Sequence, residues 1–311
     1  MKFKMSLITF FKILSTPPDE LLDVLGIIST LALVIVMFSL GLKIKFLEIR
    51  ENFAKPKNLL VGLISQMILI PSIGLIFILT FDFQTNIQIA IMIIACMPSA
   101  ATSNFICSKI NGNISLSIAL TSICTVSAIY TVPFFLKIFS LLTERDISLF
   151  DFYYTDIIIK IFLIITSPVI IAIILKYYLP QIKKIEKNLD RVSLILFFIV
   201  ITLAIYMSVI NIKNPAESFT AVIIFMLMII FTVFVVTKIT RTSFEATRTI
   251  FAEALLQNNV LGFLIVYTIG GKNVYLIPVI AIYAVCQYLV FMLLMLTLLK
   301  NKSSIYISEK I

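Results

Sequence analysis

Apolar runs of about 20 residues recur along nearly the whole chain, cut by short clusters of Lys, Arg, Pro, Gly and Asn. As an α-helix rising about 1.5 Å per residue, such a run covers the ~30 Å of hydrocarbon in a bilayer. Lipid offers no partner to a backbone N–H or C=O, so spanning segments must be helices that bond internally, or strands closed into a barrel. Cutting the chain at its polar punctuation gives nine segments, about 22–42, 58–80, 86–107, 113–142, 155–179, 191–211, 217–238, 245–268 and 274–299. The sequence therefore predicts an all-α integral membrane protein with nine transmembrane helices. With 60% of its 311 residues hydrophobic and 13% charged, the chain leaves no room for a separate soluble domain.

The formal charge of +9 comes from short loops rather than from a continuous basic face, which argues against a nucleic-acid partner. Most of the 25 Lys and Arg fall in one alternating set of loops and ends, around Lys43 to Lys57, Lys109, Lys176 to Arg191, Lys238 to Arg248 and Lys300 to Lys310. The positive-inside rule then expects a multi-pass protein of the plasma or inner membrane with its C-terminus cytoplasmic and its N-terminus outside. Residues 1–21, interrupted by Lys12, read as an interfacial stub without a cleavage pattern, so insertion is expected through the first helix; residues 300–311 read as a cytoplasmic tail. Chemistry of the enzymatic kind is disfavoured: the chain has no His, and its Asp residues lie at loops or helix ends. Cys96, Cys107, Cys124 and Cys286 sit in apolar segments without paired spacing and read as small packing residues.

Segments three and eight differ from the others. The third, IACMPSAATSNFICSKINGN, carries Pro98 and then a run of small and polar residues; the eighth, FAEALLQNNVLG, carries Glu253, Gln257, Asn258 and Asn259. Proline removes a helical donor, and Asn and Gly tolerate non-helical backbone, so both segments are expected to break near the membrane middle. The breaks occupy matching places in two four-helix units, 22–142 and 191–299, with 143–190 as a linking helix and its loops. An odd number of crossings separates the units, so they are expected to be inverted repeats, the pattern of a secondary transporter.

The polar residues of these segments make a coherent set. Glu253 and Gln257 are four apart, as are Ser117 and Thr121 on segment four, with Thr125 extending that stripe; helical spacing puts each pair on one face. Ser103, Asn104 and Gln66 add further oxygens. A carboxylate, amide oxygens and hydroxyls, with no soft or nitrogen ligand, suit an alkali or alkaline-earth cation better than zinc or iron. Against this stand blander readings: Ser and Thr that bond back to their own helices, amides that join helices, and a Glu253 paired with Arg248 or protonated.

The stretches MFSLGLKIKFLEIRENFAKPKNLLVGLISQMILIP, ACMPSAATSNFICSKINGNISLSIALTSICTVSAIYTVPFF and EALLQNN together resemble the bile acid:sodium symporter family. The resemblance implies a panel domain and a core domain, the core containing two crossing discontinuous helices and two Na⁺ sites. By similarity one sodium is held by Ser103, Asn104, Ser117, Thr121 and Glu253. The second is held by Gln66, Glu253 and Gln257 with the carbonyls of Ala254 and Leu256. Many members have ten helices, so this chain resembles those that lack the first. Where the family has Pro-Gly-Gly-Thr and Glu-x-Gly at its breaks, this chain has Pro98-Ser99-Ala100-Ala101 and Glu253-Ala254-Leu255.

The resulting expectation is a monomeric, sodium-coupled symporter of a small organic anion, bile-acid-like or a smaller carboxylate or sulfonate. The solute is expected at Pro98, Ser99, Ala100, Ala101, Thr102, Asn258 and Asn259, where half-helix N-termini offer N–H groups and positive dipole ends. The alternative is a related exporter, proton-coupled or carrying an oxyanion such as arsenite.

Overall fold

The computed structural model describes residues 18–44, 50, 52–53, 56–143, 154–268 and 273–308, without the side chains of 18–19, 154–157 and 294–308. Most of the expected N-terminal stub, the end of the C-terminal tail and the loop residues Lys45, Lys55, Arg145 and Lys272 lie outside the described residues.

Eleven α-helical elements follow in order: α1 (Pro18–Lys43), α2 (Pro56–Thr80), α3 (Thr85–Cys96), α4 (Thr102–Lys109), α5 (Ile114–Thr143), α6 (154–178), α7 (Glu186–Asn211), α8 (Pro215–Ile239), α9 (Phe244–Leu255), α10 (Asn259–Thr268) and α11 (Ile277–Ser308). Seven of them, α1, α2, α5, α6, α7, α8 and α11, contain stretches long and apolar enough to cross a bilayer. The pairs α3/α4 and α9/α10 are the two interrupted segments, broken at 97–101 and 256–258.

Two helices widen into a π turn, at Ser65–Leu69 in α2 and Phe162–Thr166 in α6. In each case a proline follows, Pro71 and Pro168. A proline ring lacks the helical donor and crowds the carbonyl four residues back, and a widened turn relieves both. In α2 the π turn holds the buried Ser65 and Gln66. Two left-handed residues, Asn111 (φ 55°) and Arg241 (φ 50°), close α4 and α8. Each is followed by a bond reaching back to the last helical turn, Gly112 N–H to Cys107 C=O and Thr242 N–H to Thr237 C=O, which satisfies a helix-end carbonyl. The chain then re-enters a helix through Asn113, whose Oδ1 accepts from Leu116 N–H, and through Ser243, whose Oγ accepts from Ala246 N–H.

Helices α6 and α7 both pack on α1, while α2, α5, α8 and α11 surround the two broken segments; α1 against α10 and α7 against α11 join the groups. One end of the bundle gathers basic residues: Lys176 Nζ donates to the α1 carbonyl Leu42 O and to Ile44 O, Lys57 Nζ to Arg241 O, and Lys43 pairs with Asp190. At the other end Glu217 Oε1 accepts from Gln84 N–H, and Asn86 Oδ1 accepts from Asn273 Nδ2.

The approach of α1 to α6 depends on Gly41. A Cβ there would lie 2.6 Å from Val169 O and 2.7 Å from Ala172 Cβ. The first of these atoms is backbone and cannot rotate away. Gly41→Ala is therefore expected to lower the thermal midpoint of the purified protein, at a cost of about 1–3 kcal/mol for a forced backbone shift; an unchanged midpoint would contradict this packing.

Candidate functional site

The two breaks run antiparallel against each other and exchange backbone bonds. Ala100 N–H donates to Leu256 O at 2.7 Å and Asn258 N–H donates to Pro98 O at 3.0 Å, with Ser99 and Gln257 paired between them. Each break thus satisfies backbone groups that the other leaves open. Asn258 also starts α10, its Oδ1 accepting from Leu261 N–H at 3.2 Å.

Three side chains from unbroken helices fix this crossing. On α2, Gln66 Nε2 donates to Met97 O at 2.9 Å and to Gln257 Oε1 at 3.0 Å, touching both breaks. On α11, Tyr283 donates to Leu255 O at 3.0 Å, and Gln287 Oε1 accepts from Gln257 N–H at 3.1 Å while its Nε2 lies 3.4 Å from Gln257 O. Tyr283 and Gln287 are one helical turn apart, so they reach the break from one face.

Beside the crossing lies Glu253, 2% exposed at the end of α9. Its Oε1 accepts from Ser103 Oγ at 2.6 Å and from Ser117 Oγ; its Oε2 accepts from Ser99 Oγ at 2.5 Å and from Thr121 Oγ1 at 2.8 Å. These hydroxyls come from the first break, α4 and α5, so a carboxylate of the second half of the chain gathers groups from the first. The donors are all oxygens, and among the described residues no three of His, Cys, Asp or Glu cluster.

The expected site residues separate into two places. Ser103, Ser117, Thr121 and Glu253 come together, and the Ser117/Thr121 stripe does face one point. Thr125, one turn further on, is buried with its hydroxyl unpartnered. Ser99, expected at the solute, turns its hydroxyl to Glu253. Gln257 does not share a helix face with Glu253, because α9 ends at Leu255 and Gln257 lies in the break; its Nε2 folds back onto Ala254 O at 2.8 Å. Gln66 Oε1 is buried without a partner, while Ala254 O and Leu256 O each accept one bond. Arg248 does not meet Glu253; its guanidinium lies 4.0 Å from the Phe244 ring centroid. Cys96, Cys107, Cys124 and Cys286 are free and buried.

Ala100, Ala101, Thr102, Asn104, Asn258 and Asn259 instead line a cavity of about 360 Å³ between the crossing and helices α1, α7 and α11. Thr102 Oγ1 lies 3.0 Å from Tyr288 OH on its wall. Asn104 donates through Nδ2 to Ala101 O at 3.3 Å, and no hydrogen bond joins it to Glu253. Its Oδ1 is buried and unpartnered, as is that of Asn259. Sequence reasoning missed Tyr283, Gln287 and the Lys43–Asp190 pair; a lone amide in the apolar run AIYAVCQYLV was the signal available for Gln287.

A model of the sodium bile acid symporter family matches residues 30–215. The chain is similar to the sodium-dependent organic anion transporter of Bos taurus, 28% identical over 241 residues, covering 76% of this chain and 62% of the relative. It is also similar to the hepatic sodium/bile acid cotransporter of Rattus norvegicus, 29% identical over 195 residues, 61% of this chain and 51% of the relative. An uncharacterized sodium-dependent transporter of Bacillus subtilis (strain 168) is 27% identical over 169 residues, 53% of this chain and 50% of the relative. The matches thus span less than two thirds of the length of these relatives.

Gln287→Leu removes the partner of a buried backbone N–H at the second break. It is expected to cost about 1–3 kcal/mol, the penalty of an orphaned buried donor, and to lower the chemical-denaturation midpoint. A midpoint equal to that of the parent would show that the break does not depend on α11.

Proposed function

The chain belongs to the sodium bile acid symporter family, and we propose that it is a sodium-coupled symporter of an organic anion working by alternating access. The observation that carries this reading is Glu253: a nearly fully buried carboxylate whose four hydrogen bonds all come from hydroxyls. An uncompensated carboxylate in a low-dielectric bundle costs several kcal/mol, which a bound Na⁺ offsets by supplying the missing charge. Oxygen-only donors match the hardness of that ion.

In this reading the first sodium lies among Glu253, Ser99, Ser103, Ser117 and Thr121. A second takes the unspent oxygen of Gln66 with Glu253, Gln257 and the remaining lone pairs of the Ala254 and Leu256 carbonyls. Residues 22–142 and 191–299 act as the inverted repeats. Helices α1, α6 and α7 form the panel, and the remaining helices form the core. The solute occupies the cavity at the crossing, which the same unwound residues line from above the ion. Sodium that orders 97–101 and 256–258 therefore shapes the solute's wall. Its differential affinity for the two access states supplies the coupling.

The basic end of the bundle is cytoplasmic by the positive-inside rule, which places the C-terminus inside and the N-terminus outside. Lys43 and Asp190 at that end also line the cavity, while the Gln84–Glu217 and Asn86–Asn273 bonds tie the opposite end. In this reading the conformation is inward-facing. The protein works as a monomer in the plasma or inner membrane, since both ion sites and the cavity are built within one chain.

Replacing choline by sodium at constant ionic strength is expected to raise the thermal midpoint of the detergent-purified protein, because a ligand that binds only the folded state stabilises it. At about 100 times its Kd, one sodium adds about 2.7 kcal/mol. Glu253→Gln, which keeps the shape and removes the charge, is expected to abolish the response. A parent protein indifferent to sodium would refute the symporter reading and favour the proton-coupled exporter.

A further inference from the structure

The crossing spends four of its backbone donors on itself. The N–H groups of Ala100, Asn258, Asn259 and Leu261, which the half-helix ends would otherwise offer to an anion, are bonded to Leu256 O, Pro98 O, Gln257 O and Asn258 Oδ1. Among the side chains that the breaks turn toward the cavity, two acceptors are left unspent. Asn104 Oδ1 and Asn259 Oδ1 are both buried without partners, and both residues line the cavity. Their amide nitrogens are already anchored, on Ala101 O and Gln257 O, which fixes the oxygens as the free ends. A carboxamide oxygen withdrawn from water without a donor carries an uncompensated desolvation cost. A hydroxyl or N–H brought by the occupant of the cavity would remove that cost.

The basic residue in the cavity wall is at its other side, on α1. Lys43 Nζ donates to Asp190 Oδ1 at 2.6 Å, and Ser39 Oγ donates to the same oxygen at 2.6 Å. The two charged side chains are 33% and 41% exposed, so both remain reachable. An ammonium has three donors. Lys43 can therefore take up an acid with its other N–H groups without releasing Asp190, and Ser39 continues to hold Asp190 meanwhile. A second acid group on the same solute would meet the Asp190 carboxylate, so a dianion is disfavoured.

We propose that the solute's acid group docks on Lys43 while its hydroxyl or N–H donors meet the carboxamide oxygens of Asn104 and Asn259. The transported species is then a donor-bearing monoacid lying across the cavity, with its charge toward α1 and away from the half-helix ends. The assignment rests on the organic-anion reading above and adds to it an orientation and a specificity-determining residue.

The test uses the purified full chain in saturating NaCl, with thermal midpoints read against lactate, mandelate, 4-hydroxybenzoate and cholate and against the primary amide of each. At least one acid is expected to raise the midpoint where its amide does not. Lys43→Gln is expected to weaken that acid's apparent affinity by roughly tenfold, as loss of a charged hydrogen bond requires, while Lys43→Arg retains most of it. The double variant Lys43→Gln/Asp190→Asn removes both charges and guards against a folding defect from an unpaired Asp190; it must also lose the acid response while keeping the sodium response. Acid binding that survives in Lys43→Gln, an equal response to the amides, or no response to any of the four acids overturns the proposal. Midpoints read with sodium alone separate the two readings. A sodium response with no acid response removes Lys43 and leaves the ion site, whereas an acid response lost in Lys43→Gln without any sodium response supports the cavity and removes the ion site.

Discussion

Each break in the membrane interior survives because the other break supplies its backbone partners. Two short segments, 97–101 and 256–258, are unwound among packed helices, and the bonds Ala100 N–H to Leu256 O and Asn258 N–H to Pro98 O answer that deficit reciprocally. An open N–H or C=O at that depth costs several kcal/mol, so neither break is tolerable alone. This mutual dependence ties the two halves of the chain together at one point, and Gln66, Tyr283 and Gln287 hold that point against α2 and α11.

The position of Glu253 follows from the same crossing. The carboxylate leaves α9 one turn before the break and reaches the hydroxyls of Ser99 in the opposite break, Ser103 at the start of α4, and Ser117 and Thr121 on α5. In the proposed reading, ion and solute share a wall. The unwound residues bond to the carboxylate's surroundings on one side and line the 360 Å³ cavity on the other. A cavity of that volume is near the lower end of the ~300–1,000 Å³ usual for small-molecule sites.

The sequence made the large-scale arrangement legible and left much of the chemistry of the crossing hidden. Each of the nine apolar segments matches an observed helix or interrupted pair, because apolar length and polar punctuation are local signals. Both breaks were legible too, since Pro98 and the Asn258-Asn259 pair state their backbone preferences in the residues themselves. The Ser117/Thr121 stripe held because α5 is helical there. The Glu253/Gln257 spacing did not, because the helix ends between them, and four residues measure a helical turn only inside a helix. Ser99 bonds to a residue 154 positions away and Gln287 to one 30 away. Such contacts depend on how helices are stacked, which no local pattern encodes. Lys43 looked like a topology signal, and only the packing of α1 on α7 pairs it with Asp190 at the cavity.

The central claim is that the Glu253 carboxylate is the charge on which sodium acts. Infrared difference spectra of the purified protein, recorded as choline is exchanged for sodium, report that group directly. The account predicts a sodium-dependent change in the carboxylate stretching region that disappears in Glu253→Gln. A spectrum without any sodium-dependent carboxylate change, or a change that persists in the variant, would contradict it.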